Sequence, residues 1–424
     1  MSTPPPQRRK TAVPRPEQRS GRDILATLLI LALALLAVGG CWWYSQARDV
    51  EHELASTPAP ASAPPATAVP EQLRALWEAP DSSARLTTTT SGVLTVADNR
   101  AVLRDPEGGR QVWSYRRERP ICGTAADWER VVLIFRSPKG CSEGLSFAAG
   151  TGQYAHSRDA LGSPEVSVFS SNNHVGLISP RRVELWRSDL VRTTEVGSQE
   201  APAQPGQQQP HGECEFTSAA TRKQLLATVQ QCPGQQDKLV RLLHAVPEKA
   251  DVPEKYHEFT VPGGSELVAI GQDKAVIYVP GNGIRARDAE DAVGSRFQIL
   301  GEDGRFSQVP ADPSSVGAQG GLRQPWTADL PHHMTWWDGS RLVAFQPGSM
   351  EPVFSVPGAI GIGDAMAERL LVPVAGGLAV VDWSTGAVER AIPVDRSGYA
   401  GPVELKVVNN VIVEKRGDRV VALA

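Results

Sequence analysis

AVLRDPEGGRQVWSYR, residues Ala101 to Arg116, decides the fold. It is an apolar strand, a turn built on Asp105, Gly108 and Gly109, and a second strand ending on Trp113 and Tyr115. Short runs of β-branched and aromatic residues bounded by turn formers are strands. Looser copies are GLSFAAGTGQYAHSR (Gly144 to Arg158) and RVELWRSDLVRTTEV (Arg182 to Val196). Two more are RLVAFQPGSMEPVFSV (Arg341 to Val356) and GLAVVDWSTGAVERAIPV (Gly377 to Val394). Their turns centre near Glu107, Thr151, Asp189, Gly348 and Thr385, with steps of 38 to 44 residues among them.

Outward from these copies the same texture continues. GVLTVA (Gly92 to Ala97), RVVLIFR (Arg130 to Arg136), HVGLIS (His174 to Ser179), KAVIYV (Lys274 to Val279) and NNVIVEK (Asn409 to Lys415) are further strands. AATRKQLLATVQQ (Ala219 to Gln231) is the one stretch that tempts a helical reading, and its place in the strand rhythm favours strand or loop. A strand repeat of about 40 residues predicts the blades of a β-propeller. The expected fold is all-β, with seven blades from length and six or eight also allowed. LRALWEA (Leu73 to Ala79) and RVVALA (Arg419 to Ala424) stand alone at the two ends of the repeats. Pairing them in one blade closes the ring and removes two exposed sheet edges.

The Ala101–Arg116 pattern resembles the repeat of PQQ-like (quinoprotein-type) β-propellers, and STGAVERAIPV and PGSMEPVFSV resemble it more weakly. The whole chain is similar to a family of largely uncharacterised actinobacterial membrane proteins with a basic tail, one span, a Pro/Ala linker and an external PQQ-like propeller. WSYRRERPICG (Trp113 to Gly123), VELWRSDLVR (Val183 to Arg192), PHGECEF (Pro210 to Phe216) and CPG (Cys232 to Gly234) carry that resemblance. It implies the fold and brings no established activity.

The N-terminal region sets the compartment. Residues 1–23 form a basic tail, expected to be disordered, in which Arg8, Arg9, Lys10, Arg15, Arg19 and Arg22 face only Glu17 and Asp23. An apolar run from Ile24 extends to Tyr44 and supplies the roughly 20 residues that cross a bilayer as one helix. Trp42, Trp43 and Tyr44 suit the membrane–water interface. Their bulk also argues against a cleavage site at Ser45 to Ala47. VGGC (Val38 to Cys41) loosely resembles a lipobox, but the long tail and the tryptophans after Cys41 favour an uncleaved anchor. The charge asymmetry predicts a cytoplasmic N-terminus and an extracytoplasmic C-terminal domain. Residues 45–70 include ASTPAPASAPPATAVP (Ala55 to Pro70), whose prolines forbid a helix and predict an extended stalk. The propeller is expected over 71–424.

Cysteine use agrees with an oxidising compartment. Cys122, Cys141, Cys214 and Cys232 fall at paired short spacings. The expected pairing is local, Cys122–Cys141 and Cys214–Cys232, among three that the sequence allows. The alternative is zinc held by His211, Cys214, Cys232 and His244. His332 and His333, if in a strand, point to opposite faces and cannot easily share an ion. The neighbouring Trp336 and Trp337 read as blade packing.

Catalytic signatures are missing: no G-x-S-x-G elbow, H-E-x-x-H helix, P-loop or EF-hand loop occurs. GIGDAM (Gly361 to Met366) fails the dinucleotide pattern, and Asp382–Trp383 sits in a repeat turn. Quinoprotein dehydrogenases commonly carry adjacent cysteines above the quinone, and this chain has no such pair. With 43 basic and 47 acidic residues, net charge −4, no basic stripe for nucleic acid is indicated. The expectation is a non-enzymatic, membrane-tethered binding or scaffold module without a cofactor, whose partner is an envelope protein or cell-wall component. SQEAPAQPGQQQPHGE (Ser198 to Glu213) is an exposed loop and a candidate contact surface. The alternative is an envelope enzyme or sensor with a quinone-like molecule in the channel.

Overall fold

Each predicted apolar run becomes one strand of a four-stranded antiparallel meander, and eight such sheets follow one another along the chain. The structure, a computed structural model, describes residues 20–57, 63–159, 161–171, 173–199, 209–281, 294–314 and 324–424. Residues Met1–Val50 and Glu51–Ala424 form separate compact units.

In the first unit the helix Gly21–Trp43 begins at Ser20, whose side chain caps Asp23 N–H while Asp23 caps Ser20 in return. None of its residues is buried, and it is long and apolar enough to cross a membrane, a property shared by anchors and signal sequences. Trp42, Trp43 and Tyr44 are exposed at its end, and the Arg48 guanidinium lies 4.4 Å from the Trp43 ring centre.

The second unit is an eight-bladed β-propeller. Blade 1 begins at Thr87–Thr89, blade 2 at Ile121–Asp127, blade 3 at Ser167–Ser171 and blade 4 at Glu215–Arg222. Blades 5, 6, 7 and 8 begin at Glu266–Ile270, Thr327–Asp329, Asp364–Met366 and Val403–Val408. These are the first and innermost strands of the meanders, from which the chain steps outward through each blade; in blade 8 Gly361–Ile362 also pairs parallel with Val403–Glu404 on the inner side. Length had pointed to seven blades; the eighth fits because blade spacing varies, from 34 residues between the starts of blades 1 and 2 to 61 between blades 5 and 6. Ala219–Gln231 is a hairpin of blade 4, with no helix.

Alternating side chains fill the space between neighbouring blades. In blade 3, Val183 and Leu185 pack toward Leu226 and Leu243 of blade 4. Trp186, of opposite parity, packs with Ile134 and Ala125 of blade 2. Each such buried side chain contributes roughly 1.5–3 kcal/mol of transfer free energy.

All five turn centres read from sequence fall between the third and fourth strands of their blades. In blades 1, 3 and 7 an aspartate organises the turn; in blade 7, Asp382 Oδ1 accepts from the backbone N–H and hydroxyl of both Ser384 and Thr385. These bonds favour the carboxylate and hold its pKa down at about 2. In blades 1, 2 and 7 a turn glycine seats an aromatic ring from the preceding blade. A Cβ on Gly109 would lie 2.6 Å from Trp77, and one on Gly152 2.6 Å from Trp113. Both glycines have positive φ, and the two indoles donate to Pro106 O and Ala149 O, each at 2.7 Å. The repeat motif is therefore a device for joining blades.

Closure uses strands from both ends of the unit. Ala75–Pro80 pairs antiparallel with Arg419–Leu423 as the outer strand of blade 8. Two buried ion pairs reinforce this seam: Lys415 Nζ to Asp81 Oδ2 at 2.7 Å, and Arg85 Nε to Glu404 Oε2 at 3.0 Å.

The Pro/Ala-rich segment differs from its expected role as a free stalk. Glu51–Glu53 adds a fifth strand to the outer edge of blade 1. Its alternation turns His52 onto Tyr115, Phe147 and Tyr154, while His52 Nε2 lies 2.7 Å from Gly152 O. Farther on, Ala63 N–H donates to Asn409 Oδ1, Val69 is buried with Leu371 and Leu405, and Arg390 donates to Val69 O and Pro70 O. Residues 63–70 of the segment are packed against the domain.

Candidate functional site

The meander gives the propeller two unlike faces. Turns between first and second strands, and between third and fourth, open on one face. Most are tight, the ten-residue 245–254 of blade 4 being the exception; Trp128–Glu129, Ala367–Glu368 and Asn409–Asn410 carry paired positive φ values, the mark of two-residue hairpins. Connections between second and third strands, and from blade to blade, open on the other. The long connections there are 160–166, 198–214, 280–295, 311–326 and 394–402. The candidate contact stretch Ser198–Glu213 lies on this loop face, although 200–208 are outside the described residues.

Both disulfides brace the same face. Cys122–Cys141 ties the start of the first strand of blade 2 to the start of its third, and Cys214–Cys232 ties the start of the first strand of blade 4 to the end of its second. Blade 3 and its long exit loop lie between them. Gln209 fixes the end of that loop, its amide donating to Glu195 O at 3.1 Å and Asp251 O at 3.0 Å. The same disulfide excludes the zinc reading: Cys214 and Cys232 are joined to each other, His211 turns to Glu258 at 3.5 Å and His244 stacks on Tyr256 at 3.8 Å.

Side chains link non-adjacent blades at both ends of the ring. On the loop face, Arg85 reaches from the entry to blade 1 to Pro325 O, at 3.2 Å, before blade 6. Its guanidinium also lies 5.0 Å from the Trp326 ring, which packs edge-on against Trp337. Glu404, the acid at this mouth, accepts from Arg85 and from Leu86 N–H and is buried. On the turn face, Arg222 of blade 4 pairs with Asp329 of blade 6 at 2.7 Å, past the inner hairpin of blade 5.

The adjacent histidines lie in a turn, not a strand, so the opposite-face argument does not apply. Both reach Trp383: His332 at 5.3 Å and His333, stacked, at 5.5 Å. His332 also faces Glu368 at 3.2 Å. Burial, and then the neighbouring His332, push the His333 pKa down, favouring the neutral ring against the indole. Trp336 is buried with Tyr278 and Phe297, as blade packing requires.

One set of residues was missed in sequence. Arg100, Arg104 and Arg116 line a cavity of about 420 Å³ on the outer flank, between blades 8 and 1. The signal was available: in RAVLR the two arginines share one strand face with Val102, and the hairpin register sets Arg116 opposite Arg100. A second cavity, of about 200 Å³ and lined by Leu161, Pro164 and Leu177 with Arg182 and Glu184, lies between blades 2 and 3. Its charges are internally matched: Arg182 meets Glu184 at 3.0 Å and Glu195 at 2.6 Å, all buried.

No known family description and no curated protein matches the sequence. Among solved structures, Sqt1 of Saccharomyces cerevisiae is similar at 10% identity over 83% of this chain and 98% of that one, with a TM-score of 0.50. The computationally designed Ika8 protein is similar at 13% identity over 87% and 99%, with a TM-score of 0.48. AztD of Citrobacter koseri is similar at 9% identity over 75% and 86%, with a TM-score of 0.46. Likeness at such identities speaks to fold alone. The chain is an eight-bladed β-propeller preceded by one apolar helix.

Proposed function

We propose that this protein is a membrane-tethered, extracytoplasmic binding or scaffold module of the cell envelope, working through its loop face on a protein or cell-wall component. The observation that carries the reading is the asymmetry of the two faces. Long connections gather on one face, and both disulfides brace that face, while the other is mostly tight turns. Variable loops on a rigid frame are the usual place for recognition. The apolar helix with its basic tail supports a signal anchor with a cytoplasmic N-terminus, and the disulfides support an oxidising compartment. The turn motif and its seated indoles support kinship with PQQ-like propellers of the actinobacterial membrane type. The link from Arg85 to Pro325 O at the loop-face mouth weighs against a quinone-like molecule entering the channel from that side.

The test is a photo-crosslinking amino acid placed singly in the full chain in intact cells. Leu161 and Arg136 represent the loop face, Val191 and Phe306 the turn face. The reading expects discrete adducts from the first pair only. Equal adducts from both pairs, or a tightly bound quinone in the purified protein, would sink it.

A further inference from the structure

We propose that the flank cavity between blades 8 and 1 is an oxyanion site that takes a small phosphate-bearing molecule. Arg100, Arg104 and Arg116 converge on it, against the carboxylates of Glu51 and Asp98. Three fixed guanidinium groups offer forked N–H donors that match tetrahedral oxyanions better than they match a single carboxylate. A volume of about 420 Å³ admits a phosphate ester of a few carbons.

Arg104 is the centre of the argument. It is half-buried, and its hydrogen bonds go to neutral oxygens, Thr95 Oγ1 at 3.0 Å and Gly109 O at 3.1 Å. Among the described residues it has no carboxylate within 4.0 Å, and burial pushes its pKa down for want of a counter-charge. The other two arginines are countered chiefly by the tether-proximal strand. Arg116 meets Glu51 at 2.7 Å, and Arg100 meets Glu51 at 3.7 Å and Glu53 at 3.3 Å. Arg116 also faces Glu118 at 3.5 Å, outside the cavity lining. Glu51 therefore sits as a built-in competitor at the edge of the site. A phosphate dianion brings more acceptor positions and more charge than that carboxylate, so it displaces Glu51 and satisfies Arg104 as well. This site is on the flank and stands independently of the loop-face reading.

The test uses the full-length protein in phosphatidylcholine nanodiscs, titrated calorimetrically with glycerol 3-phosphate at constant ionic strength. The expected result is saturable 1:1 binding that Arg104→Met weakens at least about tenfold. Glu51→Gln, which removes the competing charge but keeps the strand, tightens binding about fivefold. A misfolded variant cannot gain affinity, so that tightening separates a site from a merely structural arginine cluster. Absence of saturable binding in both wild type and Glu51→Gln overturns the proposal, as does binding indifferent to Arg104→Met. Repeating the titration with phosphatidylglycerol in the discs identifies the source. Suppressed binding assigns the site to lipid headgroups, and unchanged binding to soluble phosphate esters.

Discussion

Replacing Asp81 by alanine tests what holds the ring shut. Asp81 lies at the junction of the closing strand and blade 1 and is 1% exposed. Its carboxylate accepts from Lys415 Nζ at 2.7 Å, Ser83 Oγ at 2.6 Å, Val96 N–H at 2.9 Å and Ser83 N–H at 3.2 Å. Asp81→Ala leaves a buried ammonium with only the Asp81 carbonyl, at 3.0 Å, and strands the Val96 N–H. Breaking a buried pair from one side costs about 3–5 kcal/mol. With an unfolding entropy of about 2.1 cal/mol/K per residue over Glu51–Ala424, that is a fall in Tm of roughly 4–6 °C. Lys415→Met should cost less, since the carboxylate keeps three donors, and a paired Asp81→Leu, Lys415→Met change should recover most of the loss. Differential scanning calorimetry reads the Tm, and hydrogen exchange at Ala75–Pro80 reads the seam itself. A fall under about 1 °C for Asp81→Ala, or a larger one for Lys415→Met, would refute the reasoning.

Three further outcomes are expected. Gly152→Ala should destabilise by about 2–4 kcal/mol, because a Cβ meets Trp113 at 2.6 Å and φ is +75°. Gly348→Ala, with φ +86° and nothing within 4 Å, should cost about 1 kcal/mol; equal Tm losses would deny the ring-seating role. Burial raises the Asp127 pKa to about 7 from the ordinary 3.8, against one stabilising bond from Trp128 N–H. Between those values the folded state holds more protons than the unfolded one, so stability falls as pH rises from about 4 to 7. Asp127→Asn should flatten that fall and exceed wild type at pH 8 by about 1–2 kcal/mol after allowance for partial exposure, measured by urea unfolding at both pH values. His52→Ala should abolish hydrogen-exchange protection at Glu51–Glu53 while shifting the Tm by less than about 2 °C. A global loss instead would make that strand part of the cooperative core.

The architecture was legible where local chemistry repeats. An aspartate and a glycine mark the third-to-fourth turn in blades 1 and 7, with a following aromatic in blade 1, and looser forms mark blades 2, 3 and 6. Blade 4 hid because 245–254 stretches its spacing and has no glycine; blade 5 carries Asp303, Gly304 and Phe306 at its turn, but 280–295 separates that hairpin from the strands before it. Innermost strands such as Thr327–Asp329 are short and carry little apolar character, so nothing announced them. The docking of the linker was invisible for another reason. It is held by asparagine side chains, backbone carbonyls and one buried valine, which leave no periodic pattern. The arginine face leaves no such mark, because RAVLR has the texture of any apolar strand and Arg116 joins Arg100 and Arg104 only through the hairpin register.

The linker that folds back along the domain also decides how the protein takes a load. Tension arriving through the helix enters at Glu51 and peels a three-residue strand, one pair at a time. That releases residues 54–74, roughly 70 Å of extensible chain, before any pull reaches the strand Ala75–Pro80 that closes the ring. Optical tweezers attached at Ser45 and at a loop-face residue should record that short extension as a separate low-force step, and a single step that opens the ring at once would exclude it. The segment is in effect a shock absorber wired in series with the clasp it protects.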